Sequence, residues 1–412
     1  MAKEHDPYHE PLVYVVPEAD AGMKLGTVLK NRMGISRTLM TRLKQSERGI
    51  TVNGRRAYTD AVVRPGDRVE ARMQREVSED ILPEPMELAI LYEDEHLLIL
   101  NKPPGVVVHP THGHYTGTLA NGVVWHWRQK GETVRFRPVH RLDQETSGVL
   151  AIAKNPFVHQ SISEQMQRGS VAKEYTAIVH GRMERVEGTV DAPISRDADN
   201  PRVRVVSPAG DRSVTHYRVA EAYPEGSVVH LRLETGRTHQ IRVHMRHLGH
   251  PLFGDKMYGP GGEAETGIIP GRASSAENRA RGESAPLPAS APSAPADPPD
   301  LSVSPEPEPG QGPADPPDLS ISPDTEPGHG HGHGCADPPD LIVSLDPSVS
   351  PVIGPNDPLG SPAEAPAISR QALHAERLAF IHPGTGEPVE FRAPLPADMR
   401  ELIERLRRGG AS

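Results

Sequence analysis

An acid, Asp143, stands in the stretch "HRLDQETSGVL" (140–150), two residues after Arg141 and just before a small polar turn that ends at Gly148. The apolar run Val149 to Ala153 follows and reads as a buried strand, so Asp143 sits in a loop that feeds the core. A carboxylate there has two uses. It can cap its own turn through the amides of Thr146 or Ser147, or it can be a reactive group held on a rigid scaffold. A partner able to keep it charged bears on the choice, and "THQIRVH" (238–244) offers Arg242. A guanidinium in an otherwise buried strand needs an anion to offset its desolvation, and the pairing favours an ionised Asp143. We read 238–244 as a strand resuming after a break at Gly236. Period-2 spacing then sends Gln240, Arg242 and His244 to one face and His239, Ile241 and Val243 to the other. Tyr175, in the alternating run "VAKEYTAIVHG" (171–181), is also assigned to a strand, where a lone tyrosine fits packing as well as chemistry.

Other chemistries lack their residues. His239, His244, His247 and His250 have no nearby Cys and match none of the usual zinc spacings. A glycosidase needs two opposed carboxylates, and nothing beyond proximity nominates Glu145 as the second. Ser147 lies in "TSG", outside any G-x-S-x-G elbow. The chain carries no P-loop and no dinucleotide fingerprint.

The 45 Lys+Arg and 55 Asp+Glu of the 412 residues give a net charge of −10, but the distribution is uneven. Residues 1–260 carry +3, residues 261–368 carry −14 and residues 369–412 carry +1, so net charge does not exclude a nucleic-acid partner. The acidic segment holds 23 of the 44 prolines, no Phe, Tyr, Trp or Lys, and a repeat, "ADPPDLSVSP", "ADPPDLSISP", "ADPPDLIVSL". Such a composition has little to bury and is expected to form a disordered insert. Its "GHGHGHGC" tract offers His329, His331, His333 and Cys335, but without fixed geometry these make a weak metal site. The one cysteine rules out an internal disulfide and points to a reducing compartment. No apolar run approaches the roughly 20 residues that span a bilayer, and the N-terminal stretch has no long apolar signal region. A cytoplasmic protein is expected.

Residues 1–80 read as a small module. Leu25, Val28 and Leu29 lie at helical spacing, then a second helix begins at a Ser36 cap and carries Leu39 and Leu43. Short strands follow, with turns at Asn53-Gly54 and Pro65-Gly66-Asp67. Arg37, Arg42, Lys44, Arg48, Arg55 and Arg56 fall within twenty positions, opposed only by Glu47, which favours an anionic partner. The helix pair with "GISR", then "ITVNG" and "RPGDRV", resembles the small RNA-binding module named after ribosomal protein S-four. Where that module commonly opens with Arg-Leu-Asp, this chain has Lys24-Leu25-Gly26.

Beyond it, "LAILYEDEHLLILNKPPGVVVHP" suggests a hairpin, and "LPADMRELIERLRRG" a terminal amphipathic helix with Met399, Leu402, Ile403 and Leu406 inward. Four motifs, "HRLDQETSGVLAIAKN", "KEYTAIVHG", "LETGRTHQIRVHMRHLGHPLFGDKMYG" and "RQALHAERLAFIHPGTGEPVEFRAPLPADM", together resemble the RluA-type pseudouridine synthases. The likeness runs from about Leu88 to the C-terminus, with the 108-residue insert where a short connection is usual. It implies an α+β fold with a central mixed, mainly antiparallel sheet, in two parts (81–260 and 369–412), beside the small N-terminal α/β domain. It implies isomerisation of uridine to pseudouridine in structured RNA with no metal or other cofactor. The family acts on large-subunit ribosomal RNA and on transfer RNA, and the RNA-binding module favours the ribosomal substrate; a monomer is expected. It assigns Asp143 as the essential carboxylate, acting on the ribose, and Tyr175 as the residue lying on the flipped uracil. Arg242 would keep the acid ionised. Arg141 would fill the space left by the nucleotide or hold its phosphate, with His140 and Gln240 supporting the RNA site and Arg37, Arg42, Lys44 and Arg55 binding RNA from the module. The alternative is a non-catalytic RNA-binding or ribosome-assembly factor on the same fold.

Overall fold

The computed structural model describes residues 6–111, 113–264 and 368–409. The insert lies outside the described residues from 265 to 367, and with it the expected disorder and the His tract. Its first four residues, 261–264, are among those described: Arg202 pairs with Glu263 at 3.0 Å and Arg246 donates to the Ala264 carbonyl at 3.2 Å.

The N-terminal module forms as its spacing predicts. Helix α1 (Leu25–Asn31) buries Leu25, Val28 and Leu29, and α2 (Arg37–Gln45) buries Leu39 and Leu43. The Ser36 hydroxyl accepts the Leu39 amide at 3.2 Å, satisfying one of the free donors of the first turn of α2. Strands β1 (Leu12–Val15), β2 (Ile50–Val52), β3 (Arg55–Arg56) and β4 (Arg68–Ala71) make an antiparallel sheet in the order β1-β4-β2-β3. Asn53 and Gly54 both take positive φ (52° and 75°), as the tight β2–β3 turn requires. Strand β1 has no counterpart among the elements expected from the sequence, the first of which is the helix carrying Leu25. It is four residues long and only alternately half-buried, a weak periodic signal.

The main sheet has nine strands. They are β5 (Ile90–Glu93), β6 (Leu97–Lys102), β7 (Ser147–Ala153), β8 (Ala172–His180), β9 (Glu187–Asp191), β12 (Val214–Ala222), β13 (Gly226–Leu233), β14 (Leu373–Ile381) and β15 (Pro388–Arg392). The order is β5-β6-β7-β14-β8-β13-β12-β9, with β15 on β14 and a separate hairpin of β10 (Ile194–Arg196) and β11 (Arg204–Val206). Only the β7–β14 pair is parallel, so the sheet is mixed and mainly antiparallel. Every residue of β7 is buried, since helices cover both its faces. Leu150 and Ile152 share one core cluster with Val123, Val124 and Trp127 of α3 (Leu119–Gln129), whereas Val149, Ala151 and Ala153 share another with Val158 and Ile162 of α4 (Pro156–Gln167). The terminal helix α6 (Ala397–Gly409) buries Met399, Leu402, Ile403 and Leu406 against Ile178, Val228 and Phe253. Among the described residues no helix is long and apolar enough to cross a membrane.

One expectation fails. Residues 240–247 are a helix, α5 (Gln240–His247), not a strand. His239 takes a left-handed conformation (φ 59°) and starts the helix. Gln240 and His244, one turn apart, both reach the Thr215 hydroxyl, at 3.0 and 2.9 Å. Ile241 and Met245, also one turn apart, enter the main core. Period 3.6 rather than 2 therefore separates Arg242 from Gln240 and His244, which the strand reading placed together.

Strand β14, which resumes the fold after the insert, lies at the centre of the sheet and sets Ala375 beside Gly148. Gly148 has φ 117°, and a Cβ there would lie 2.1 Å from the Ala375 carbonyl oxygen, a backbone atom with nowhere to go. Gly148→Ala should destabilise the protein by about 3 kcal/mol or more. Urea unfolding midpoints measure this, and an unchanged midpoint would contradict the close β7–β14 approach.

Candidate active site

Asp143 lies in the loop that enters β7. The Thr146 amide donates to the backbone carbonyl of Asp143 at 3.0 Å, so the turn closes through the main chain and leaves the carboxylate unused. That outcome removes the turn-capping reading. Several side chains hold the loop from behind. Lys102, fully buried at the end of β6, donates from Nζ to the Gln144 carbonyl at 2.8 Å and to the Pro103 carbonyl at 2.7 Å. Arg370 donates to the Glu145 carbonyl at 3.2 Å while its other nitrogens fork onto Asp398 of α6 at 2.6 and 2.9 Å. Gln371 donates to the Thr146 hydroxyl at 2.9 Å, and Ser147 meets His374 Nδ1 at 2.9 Å. The segment after the insert thus fixes the loop that carries Asp143. Sequence reasoning missed Lys102, whose ammonium is pulled down to about 7 by burial, against the opposing charges of Glu145 and Asp143.

The guanidinium of Arg242 organises the rest. Its Nη1 donates to Asp143 Oδ2 at 3.1 Å, as the sequence predicts. Its Nε and Nη2 fork onto a second acid, Asp255, at 2.7 and 2.8 Å, a partner that the sequence does not point to. Asp255 is fully buried, and two backbone amides, Met257 and Tyr258, also donate to its Oδ1 at 3.0 Å. Burial opposes the charge on Arg242, but the hydrogen bonds and charge of Asp255, then those of Asp143, outweigh it and raise its pKa. Burial likewise opposes the Asp255 charge and is outweighed by Arg242 and the amides, which hold the carboxyl below its usual range. Asp255 takes the planar two-pronged contact, so Arg242 spends a single N–H on Asp143. Among the described residues Asp143 Oδ1 has no hydrogen-bond partner, and the side chain is 28% exposed. One cation between two carboxylates leaves a net negative charge, on the side facing solvent.

The other predicted residues separate. Tyr175 is buried on β8, opposite Leu231 and Ala375, and its hydroxyl has no hydrogen bond among the described residues. Burial, and then the nearby charge of Asp143, push its pKa up, so it stays a neutral phenol. Arg141 is exposed, with no partner among the described residues. Arg37, Arg42, Lys44 and Arg55 are exposed on the N-terminal module; Arg42 lies 3.9 Å from Glu76, a long contact between accessible side chains. Gln240 and His140 are corrections to the expected RNA-contacting set. Gln240 is 2% exposed and hydrogen-bonded throughout: its Oε1 accepts from Thr235 and Arg237, and its Nε2 donates to Val214 and Thr215. It ties α5 to β12 and has nothing left to offer a ligand. His140 faces the Val149 carbonyl at 3.4 Å, and burial pulls its pKa down to about 4, so it brings no positive charge.

Two further residues complete the site. The Tyr258 ring lies under the Arg242 guanidinium, 4.8 Å from centroid to carbon. His239 sits between them and the acid: its Nδ1 is 2.8 Å from Tyr258 Oη and its Nε2 is 3.9 Å from Asp143 Oδ2. A positive-φ residue that is not glycine was the one signal that could have drawn attention to it, and φ is not written in a sequence.

A mixed sheet presenting one guarded carboxylate, with a buried tyrosine and an exposed arginine nearby, has the parts of an enzyme. The RNA pseudouridylate synthase family matches residues 96–247, a span that contains Asp143, Tyr175 and Arg242 and stops short of Asp255. The uncharacterized RNA pseudouridine synthase YjbO of Bacillus subtilis (strain 168) is 45% identical over 373 residues, covering 90% of this chain and 95% of the relative. YhcT of the same strain, with the same description, is 42% identical over 252 residues, covering 61% and 83%. The ribosomal large subunit pseudouridine synthase D of Zymomonas mobilis subsp. mobilis (strain ATCC 31821 / ZM4 / CP4) is 42% identical over 330 residues, covering 79% and 74%. The chain belongs to the RNA pseudouridine synthases.

Removing one partner of a buried ion pair strands the other charge at a cost of about 3–5 kcal/mol. Asp255→Asn should therefore lower stability by about that amount and free Arg242 to move toward Asp143. Pseudouridine formation should fall at least about tenfold, with a smaller change in RNA affinity. Denaturant titration and single-turnover kinetics check both, and an Asn variant with wild-type stability would show that Asp255 does not carry the pair.

Proposed function

We propose that the chain converts specific uridines of large-subunit ribosomal RNA to pseudouridine in the cytoplasm, with Asp143 as the carboxylate that acts on the ribose. The observation that carries the reading is the position of Asp143: held by one N–H of Arg242, with its other oxygen free of partners among the described residues and open to a substrate. The bond between the sugar and nitrogen 1 breaks, the uracil turns in place, and carbon 5 bonds to the sugar. Asp143 serves either by attacking the anomeric carbon or by removing the 2′ proton, and both need the ionised acid that Arg242 favours. Tyr175, an uncharged ring at the same place, is suited to lie on the flipped base. Arg141, with its exposed guanidinium, is suited to the gap in the RNA or to a phosphate, offsetting the few kcal/mol that flipping costs. The ribosomal substrate is supported by the relatives named as large-subunit enzymes. Residues 1–80 act as the RNA-binding domain, through Arg37, Arg42, Lys44 and Arg55.

Asp143→Asn should retain RNA binding and lose pseudouridine formation entirely; turnover near the wild-type rate would sink the assignment. Mapping pseudouridines in total RNA from cells with and without the protein should reveal a missing position in large-subunit RNA, and a loss confined to transfer RNA would redirect the substrate. Replacing Arg37, Arg42, Lys44 and Arg55 by Ala should weaken binding. It should also flatten the salt dependence by about one logarithmic unit for each phosphate that the variant no longer neutralises. An unchanged slope would remove the module from RNA recognition.

A further inference from the structure

His239 is placed and protonated in a way that the fold alone does not require. The Tyr258 hydroxyl accepts the Arg204 amide at 2.8 Å, and its own proton needs an acceptor. Tyr258 is 2% exposed, and the acceptor within reach is His239 Nδ1, at 2.8 Å. With Nδ1 accepting, a neutral imidazole carries its proton on Nε2, the nitrogen that faces Asp143. Burial lowers the pKa of the ring, against the pull of Asp143, which favours that neutral form. The backbone of His239 is left-handed, a conformation in which histidine is uncommon, and it sets the ring at this spot.

The Nε2–H has no acceptor among the described residues. Asp143 Oδ2 lies 3.9 Å away, beyond hydrogen-bond range. One oxygen atom set beside the line that joins them can lie about 2.8–3.0 Å from each group. We propose that His239 recognises the ribose 2′-hydroxyl of the target nucleotide, its Nε2–H donating to that oxygen while the hydroxyl proton goes to Asp143 Oδ2. This rests on the reading of Asp143 as the carboxylate that acts on the ribose. Either role proposed for Asp143 brings the 2′ carbon beside the carboxylate, so the hydroxyl on that carbon falls toward His239. The pair then distinguishes ribose from deoxyribose at the reacting sugar, through the group that separates RNA from DNA.

The test uses the full chain and two synthetic product RNAs around a uridine that the wild type converts. One bears pseudouridine at the target and the other 2′-deoxypseudouridine, and both bind without reacting further. Their affinities are read as competitive inhibition of conversion. For the wild type the deoxy RNA should bind about tenfold or more weakly. His239→Asn tolerates the left-handed backbone but is too short to reach the gap. It should reduce that ratio about fivefold, mainly by weakening the ribose RNA. His239→Gln, carried in parallel with thermal midpoints for both, serves if the Asn variant does not fold. A wild type that does not discriminate, or a ratio within about twofold of wild type in the folded variant, overturns the inference, since a merely structural histidine would weaken both RNAs alike. If Asp143→Asn converts the same uridine at near the wild-type rate, the reading of Asp143 falls and ribose recognition with it; if Asp143→Asn is inactive and only the ratio is insensitive, ribose recognition alone falls.

Discussion

Everything at this site hangs on one buried guanidinium shared unequally between two acids. Arg242 gives Asp255 a two-pronged contact and Asp143 a single N–H. A cation enclosed by protein is tolerated only with compensation, and Asp255, itself fully enclosed and held by two amides, supplies most of it. Asp143 is then free of the duty of neutralising Arg242. It feels a positive neighbour, which favours its charge, yet keeps an oxygen for something else. Had the two acids exchanged roles, Asp143 would be the buried and saturated one.

The same logic explains the elements around the site. The carboxylate must stay put while its own hydrogen-bonding capacity stays unused, so the loop is gripped by its backbone. Lys102 holds the Gln144 carbonyl and Arg370 the Glu145 carbonyl, while Gln371 and His374 take the Thr146 and Ser147 hydroxyls. Two of the strands that converge here, β7 and β14, are the parallel pair, and they approach so closely at Gly148 that a side chain is excluded. The chain reaches β14 only after more than a hundred intervening residues, yet β14 stands in the middle of the sheet and its flank clasps the loop.

How much of this could be read from sequence follows from where the information resides. The apolar run 149–153 announces a strand buried on both faces, and Ser36 before a polar-apolar alternation announces a helix start; both signals are local and both elements form so. The pairing of Arg242 with Asp143 was accessible through charge alone. The stretch 238–244 was not, since seven residues satisfy period 2 and period 3.6 about equally. What decides for the helix is tertiary: Gln240 and His244 meet one hydroxyl, Thr215, on a strand more than twenty residues upstream. Asp255 stayed hidden for a related reason. Once Asp143 had been offered as the counter-ion, nothing in the chain demanded a second one.

The strand reading erred about the face and was right about the need. It grouped Gln240 with Arg242 on one face, whereas the helix turns Gln240 inward to hold α5 on β12 and leaves Arg242 at the site. It also set His239 on the face away from Arg242. As the left-handed residue that starts α5, His239 instead stands beside Asp143 and against Tyr258, the ring beneath Arg242. The change of period thus does more than rename an element. It removes an amide from the site, brings in an imidazole of defined tautomer, and puts the only unsatisfied N–H of that ring, among the described residues, opposite the oxygen that Arg242 keeps charged.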